Sequence, residues 1–300
     1  MNFTPTNVTT EIISKHVWKV NSIDGLLSEL SSIEKSSLDQ DKLIIYRGHR
    51  DERWLLDSTF VRSFKTTLFG IEPFKRLNNR ITDSAEFHPA ILNLYLLKFG
   101  VLTRPSDDLE SSAKEHGLDS WFEWMKRLQQ YPGEDGFFLK GSNLIDWSQS
   151  TNVALYFANE NRTSDGALFI CDASATGKTL QRIKLGAILD KMKIVGNSGQ
   201  SLGVPLLFHP DKQIANKRSD NQQAVYFAQM DLGYDLQYMW DLYEKENSSD
   251  PICLKIILPS STIKAIESYL KDEKIDSKYI YSDDCKYHPK PAAICRIVKH

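Results

Sequence analysis

Leu144-Ile145-Asp146-Trp147-Ser148-Gln149-Ser150-Thr151-Asn152-Val153-Ala154-Leu155-Tyr156-Phe157-Ala158 is the run whose reading decides the fold. Leu144 and Ile145 open a short strand, a polar turn follows, and residues 153–158 carry the small and apolar side chains of a buried helix. Sites gather at such junctions because rigid elements on both sides hold the loop. This one offers an acid (Asp146), an indole (Trp147), and hydroxyls at Ser148, Ser150 and Thr151 beside helix N–H groups that favour anions. The plainer account is capping plus core, with Ser148 or Ser150 as N-cap and Val153, Leu155, Tyr156 and Phe157 buried.

Upstream, Leu43-Ile44-Ile45-Tyr46 is a β-branched and aromatic strand that runs into Arg47-Gly48-His49-Arg50. An arginine at a strand end gives a rigid fork for phosphate or carboxylate, and Gly48 lets a ligand approach the backbone. The alternative is a strand-end arginine paired with an acid. Downstream, Arg218 precedes Gln222-Gln223-Ala224-Val225-Tyr226. Two adjacent amides entering an apolar strand cannot both face a core, so one must meet a polar partner, either a ligand or a loop carbonyl.

The remaining elements follow from periodicity. Residues 17–20 suggest a short strand, and Leu26, Leu27, Leu30 and Ile33 mark an amphipathic helix over 24–35 with Ser22 as N-cap. Asp57 or Ser58 caps a helix through Phe60, Val61, Phe64 and Leu68. Further helices are expected over 83–99 and 120–131, and short strands at 137–139, 144–145, 166–171 and near 226. Residues 177–203 read as loop-rich, and 205–210 as a bounded apolar run. Residues 252–258 form the clearest strand; Pro259 ends it, and Ser261 or Thr262 caps a helix bearing Ile263, Ile266 and Leu270. Residues 279–281 and 293–295 read as late strands. A single α+β domain with a helix-rich N-terminal half results, with 1–40 a helical extension, 41–232 the core and 233–300 a strand–helix–strand completing the sheet.

Composition narrows the function. The 300 residues are 41% hydrophobic and 25% charged, which argues against disorder. A net charge of -2 gives no global basic field, so nucleic-acid binding would need a local patch such as Arg62, Lys65, Lys75, Arg76 and Arg80, or these line a solvated helix face. Cys171 and Cys253 lie in apolar runs and read as buried thiols, and Cys285 with His288 lacks the second pair a zinc site needs. No metal is expected. Residues 1–10 lack signal-peptide character, and no run is long enough for a membrane helix, so a cytoplasmic protein without membrane association is expected. No P-loop, GxGxxG or nucleophile elbow occurs, and His88, His116 and His209 point to no serine; His49 is kept as a candidate because it follows Arg47-Gly48.

Together these blocks resemble the FRG domain family, named for Phe-Arg-Gly. Tyr46-Arg47-Gly48 is similar to its opening motif with Tyr46 for Phe. Leu144-Ile145-Asp146-Trp147-Ser148 with residues 154–158 resembles its second block, and Arg218, Gln222-Gln223-Ala224 and Tyr226 its third, with Ala224 for Gly. The resemblance spans about residues 43–230. The family's Gln-His-Tyr-Gly run appears only as Gln129-Gln130-Tyr131-Pro132. FRG domains in turn resemble ADP-ribosyltransferases in block order, which implies a split β-sheet core, NAD as substrate, and a nucleic-acid (RNA or DNA) or protein acceptor. It also implies a toxin-like role in bacterial defence or a toxin–antitoxin pair, with a neutralising antitoxin as partner. The implied catalytic residues are Arg47, Asp146 and Gln222. The implied NAD-binding residues are Tyr46, Arg47, Gly48, His49, Trp147, Ser150, Thr151, Tyr156, Arg218 and Gln223. The third block carries no glutamate, so Gln222 would orient the ribose and Asp146 would supply the carboxylate. The alternative is a non-catalytic nucleotide or nucleic-acid-binding module.

Overall fold

The computed structural model describes residues 3–7, 10–68, 141–175, 179–180, 206–208, 217–229, 234–247 and 249–281. The expected helices at 83–99 and 120–131 lie outside this set, as do the strands at 137–139 and 293–295, Lys75, Arg76 and Arg80, and Cys285 with His288. The described strands are β1 (Glu11–Ser14), β2 (Val17–Lys19), β3 (Ile44–His49), β4 (Leu144–Ser148), β5 (Gly166–Asp172), β6 (Thr179–Leu180), β7 (Leu206–Phe208), β8 (Ala224–Ala228) and β9 (Cys253–Leu258). The helices are α1 (Ile23–Asp39), α2 (Thr59–Leu68), α3 (Thr151–Asn159), α4 (Lys217–Asn221), α5 (Leu236–Asn247), α6 (Ile263–Asp272) and α7 (Ser277–Tyr281). None of the described helices is long and apolar enough to cross a membrane.

The strands form one mixed sheet in the order β1-β2-β9-β5-β3-β4-β8-β7-β6, an α+β arrangement. At its centre, β5 pairs antiparallel with both β3 and β9. Every residue of β5 is buried, as expected of a strand covered on both faces. Alternate side chains divide the core. Tyr46, Leu168, Ile170 and Leu254 pack with Leu26 and Leu30 of α1, Ala154 and Ala158 of α3, and Ile266 of α6. Ile45, Phe169, Val225 and Phe227 pack on the other face with Trp147, Leu56 and Trp240 of α5.

Local signals explain where the elements begin. Ser22 Oγ accepts from Gly25 N at 3.1 Å and starts α1, and Ser58 Oγ accepts from Val61 N at 3.1 Å at the start of α2. Thr262 is not a side-chain cap: its hydroxyl donates to the Pro259 carbonyl at 2.7 Å, and a short 3-10 turn (Ser260–Thr262) leads into α6 instead. Cys171 and Cys253 are buried thiols and direct cross-strand partners.

Two expectations are corrected. The N-terminal extension is not purely helical, because β1 and β2 form a hairpin and β2 pairs parallel with β9. The 253–258 strand is therefore interior to the sheet. Residues 279–281 are helical, not a strand: Asp276 accepts from Tyr279 N through its carboxylate at 2.8 Å and from Ile280 N through its carbonyl at 3.0 Å. Three alternating residues cannot distinguish one helical turn from a strand; the cap decides.

The extension is tied down by Glu29, wholly buried on α1. It accepts from Thr6 N at 2.9 Å, Asn7 N at 2.8 Å, and the hydroxyls of Thr6 at 2.9 Å and Thr10 at 2.7 Å. Burial pushes this carboxyl up, but the donors outweigh it and hold its pKa below the ordinary value. A depressed carboxyl contributes stability above its unfolded pKa, about 4.3, and loses it as pH falls through the folded value. Glu29→Gln is expected to abolish amide exchange protection at Thr6 and Asn7 at neutral pH while leaving β5 protected. Unchanged protection at both amides would refute the tether.

Gly48 is where the helix layer comes closest to the sheet. A Cβ there would lie 2.0 Å from the Ala154 carbonyl oxygen and 2.4 Å from Ala158 N. The glycine therefore admits α3 against β3 rather than a ligand, which corrects the reason assigned to it from sequence. Both neighbours are backbone atoms and cannot step aside. Gly48→Ala is expected to cost about 3 kcal/mol or more, read as a shift in urea midpoint by circular dichroism; a loss under about 1 kcal/mol would contradict this packing.

Candidate functional site

The sheet parts between β3 and β4. These strands pair only at Tyr46 and Ser148, although β3 pairs with β5 along its whole length and β4 likewise with β8. Beyond Tyr46 the two backbones separate, and a cavity of about 310 Å³ lies at the parting. Among the described residues its walls come from β3, β4, β8, α2, α3, α4 and α7, with the loop after β3.

Arg47 spans the gap. Its Nη1 donates to the Asp146 backbone carbonyl, and its Nε donates to His49 Nε2 at 2.9 Å. No carboxylate of the described residues lies within ion-pair distance of it, so the strand-end salt bridge allowed by the sequence does not form. Burial lowers the guanidinium pKa to about 10 against the opposing pull of the Asp146 charge. A desolvated cation without a paired anion is a receptor for one, since an incoming anion supplies the missing counter-charge.

His49 is buried and sets Arg47 in place. To accept from Arg47, its Nε2 must carry no proton, and Nδ1 then carries it and faces the Trp54 carbonyl at 3.3 Å. Burial, and next the Arg47 charge, hold its pKa well below 6.5. It is a neutral positioning residue and not an acid at neutral pH.

Asp146 projects into the cavity. Its side chain is exposed at the cavity, and desolvation by the surrounding protein raises its pKa, while Arg47, Arg218 and Arg62 pull it down in that order. Glu160 is the second acid of the cavity, accepting from Tyr156 OH at 3.1 Å and Tyr281 OH at 2.8 Å. Arg218 lies over the Tyr281 ring, 4.9 Å from its centroid. Among the described lining residues, Arg47, Arg50, Arg62 and Arg218 stand against Asp146 and Glu160, a surplus of two positive charges.

The structure brings together Tyr46, Arg47, Gly48, His49, Asp146, Trp147, Arg218 and Gln222, as expected, but not always in the expected role. Trp147 is buried, edge-on to Phe227 and Trp240, and presents no open face for stacking. The Gln222 amide donates to the Ile280 carbonyl at 3.2 Å, the bland partner that the sequence left open. Ser150, Thr151, Tyr156 and Gln223 do not border the cavity. Ser150 is the N-cap of α3, Thr151 donates to Glu34 at 2.6 Å, and Tyr156 donates to Glu160. Gln223 is exposed at a left-handed turn, φ 45°.

Sequence reasoning missed Trp54, Phe157, Glu160 and Tyr281 as site residues; Arg62, read as part of a basic patch or a solvated helix face, is exposed and also lines the cavity. Glu160 had a visible signal: it follows Tyr156 by four residues, at the C-cap of a helix already assigned to the site. Tyr281 had none, since the misread strand concealed which way its ring turns.

Residues 42–166 match the family model of the FRG domain. The FRG match covers β3, β4 and α3, and with them Arg47, His49 and Asp146. It stops before α4, so Arg218 and Gln222 belong to the site by geometry alone. No curated protein and no solved structure matches the chain.

A histidine whose folded pKa lies below its unfolded value stabilises fully above the unfolded value and loses that contribution as pH falls. Wild-type protein is therefore expected to lose stability as pH drops below about 6.5. His49→Gln, with no proton to take up, flattens that slope in urea melts from neutral pH downward. Parallel slopes in both proteins would show that His49 titrates normally.

Proposed function

We propose that the protein is an NAD-dependent ADP-ribosyltransferase, a toxin-like effector of a bacterial defence or toxin–antitoxin system that modifies nucleic acid or protein. The observation that carries the reading is the cationic surplus of the described residues around Asp146, where β3 and β4 part. A pyrophosphate brings two negative charges, which match that surplus. Arg47, Arg62 and Arg218 would hold it through charge-assisted hydrogen bonds. Phe157 and Tyr281 replace Trp147 and Tyr156 as rings for the nicotinamide, because they border the open space. The order of the blocks, which resembles that of the ADP-ribosyltransferases, supports the same reading.

The chemistry is a displacement at the nicotinamide ribose. The C1′–N bond breaks, and its electron pair leaves with the ring as neutral nicotinamide. The ribose passes through an oxocarbenium-like state that a nearby carboxylate stabilises. An acceptor X–H forms the new bond at C1′, and its proton passes to Asp146, whose raised pKa suits a base. His49 takes no proton but keeps Arg47 aimed. The committed Gln222 amide orients α7 rather than the ribose. A neutralising antitoxin would act by covering this cavity.

Incubation with labelled NAD and cell extract is expected to transfer label. Asp146→Asn should lower the rate at least about 100-fold with ADP-ribose affinity nearly unchanged, whereas Arg47→Ala should weaken ADP-ribose binding itself. Expression toxicity should disappear in both variants. Binding of ADP-ribose by wild type with neither transfer nor NAD consumption would overturn the enzyme reading in favour of a binding module.

A further inference from the structure

At the rim of the cavity, the loop after β3 displays an aromatic surface that the donor chemistry does not use. Trp54 borders the cavity yet is 42% exposed, and Leu55 beside it is 57% exposed. Arg50 lies over the indole, 5.5 Å from its centroid. The loop is built rather than loose. Glu52 N donates to the Asp165 carbonyl at 2.9 Å, Arg53 N to the Asp51 carboxylate at 2.9 Å, and Trp54 N to the Asp51 carbonyl at 3.2 Å. The Trp54 carbonyl in turn faces His49. An exposed tryptophan on an ordered loop lowers the ordering cost of binding.

A second aromatic patch lies at the start of α5, which the loop holds through its backbone. Leu56 N donates to Asp235 Oδ2 at 3.2 Å, and Leu236 N donates to the Leu56 carbonyl at 3.2 Å, which seats the start of α5 beside the loop. There Tyr234 and Tyr238 are stacked, centroids 4.5 Å apart and planes within 19°, and both are exposed, at 42% and 45%. The neighbouring acids are engaged internally. Asp51 pairs with Arg53 and Glu52 with Lys255, and Asp235 also accepts from Tyr238 N. Arg50 makes no ion pair among the described residues.

We propose that this surface is the acceptor site, that the acceptor is a single-stranded nucleic acid, and that Trp54 stacks one of its bases at the cavity mouth. Successive π-faces leading to a cationic cavity suit a strand of splayed bases, and base–aromatic stacking with arginine support tolerates any sequence. A lone nucleotide would leave the tyrosine pair unused. The proposal rests on the ADP-ribosyltransferase reading for what happens at the cavity, but the platform itself is tested separately.

The test uses full-length protein with fluorescein-labelled oligo-U and oligo-dT of about 12 nucleotides, measured by anisotropy, and ADP-ribose binding measured by calorimetry. Wild type is expected to bind an oligonucleotide. Trp54→Ala should weaken that binding at least about fivefold, and Tyr238→Ala less; Trp54→Phe, which keeps a ring face, should retain most of it and guard against a folding defect. ADP-ribose affinity should be unchanged in Tyr238→Ala, and in the Trp54 variants, whose ring borders the cavity, it should fall by much less than the oligonucleotide affinity. No oligonucleotide binding by a wild type that binds ADP-ribose overturns the platform and leaves the donor reading intact, as does label transferred to protein with none on RNA or DNA. Equal loss of ADP-ribose binding in Trp54→Ala assigns the indole to the donor and also overturns the platform. Oligonucleotide binding that depends on Trp54, without any ADP-ribose binding, supports the platform and removes the donor reading.

Discussion

The site depends on a half-buried arginine that bridges two strands where they cease to pair. Arg47 gives one N–H to a carbonyl of β4 and another to the imidazole of His49. Neither partner cancels its charge. A salt bridge in this position would have closed the gap electrostatically and left no affinity for an anion. The neutral imidazole follows from the same constraint, since a protonated ring beside this guanidinium would repel it and could not accept its hydrogen bond.

The close approach of α3 to β3 is the steric counterpart. With hydrogen in place of a side chain at Gly48, the helix lies directly on the strand, and its next turn brings Phe157 and Glu160 to the cavity. Glu160 then fixes Tyr281, over which Arg218 lies. Cation and acid are thus positioned through one aromatic ring rather than by pairing with each other, and both remain turned toward the enclosed space. Asn221 and Gln222 secure this wall from behind by donating to the Tyr279 and Ile280 carbonyls.

The hydroxyls of the junction serve architecture. Ser148 donates to the Gln222 carbonyl at 2.7 Å and accepts from Ser150 N, Ser150 caps α3, and Thr151 reaches Glu34 on α1. These bonds join β4, α3, α4 and α1 into one frame around the parting. The functional charges come instead from segments far apart in the chain: Arg47 on β3, Arg62 on α2, Asp146 on β4 and Arg218 on α4.

What the sequence determined by itself was local. Periodicity and capping placed α1, α2, β3, β4, α3, β5 and β9, because burial on one face and a hydroxyl at the N-cap are written within a few residues. The short blocks around Arg47, Asp146 and Gln222 marked segments that do meet in space. Only the tertiary structure decided which atoms of those segments face the cavity. Gly48 turned out to serve a helix, Trp147 the core, and Gln222 a neighbouring carbonyl, since each choice depends on what packs opposite. The short helix at Tyr281 and the β2–β9 pairing were likewise beyond local reading, because a single cap or a distant strand outweighs the weak propensity of three to five residues.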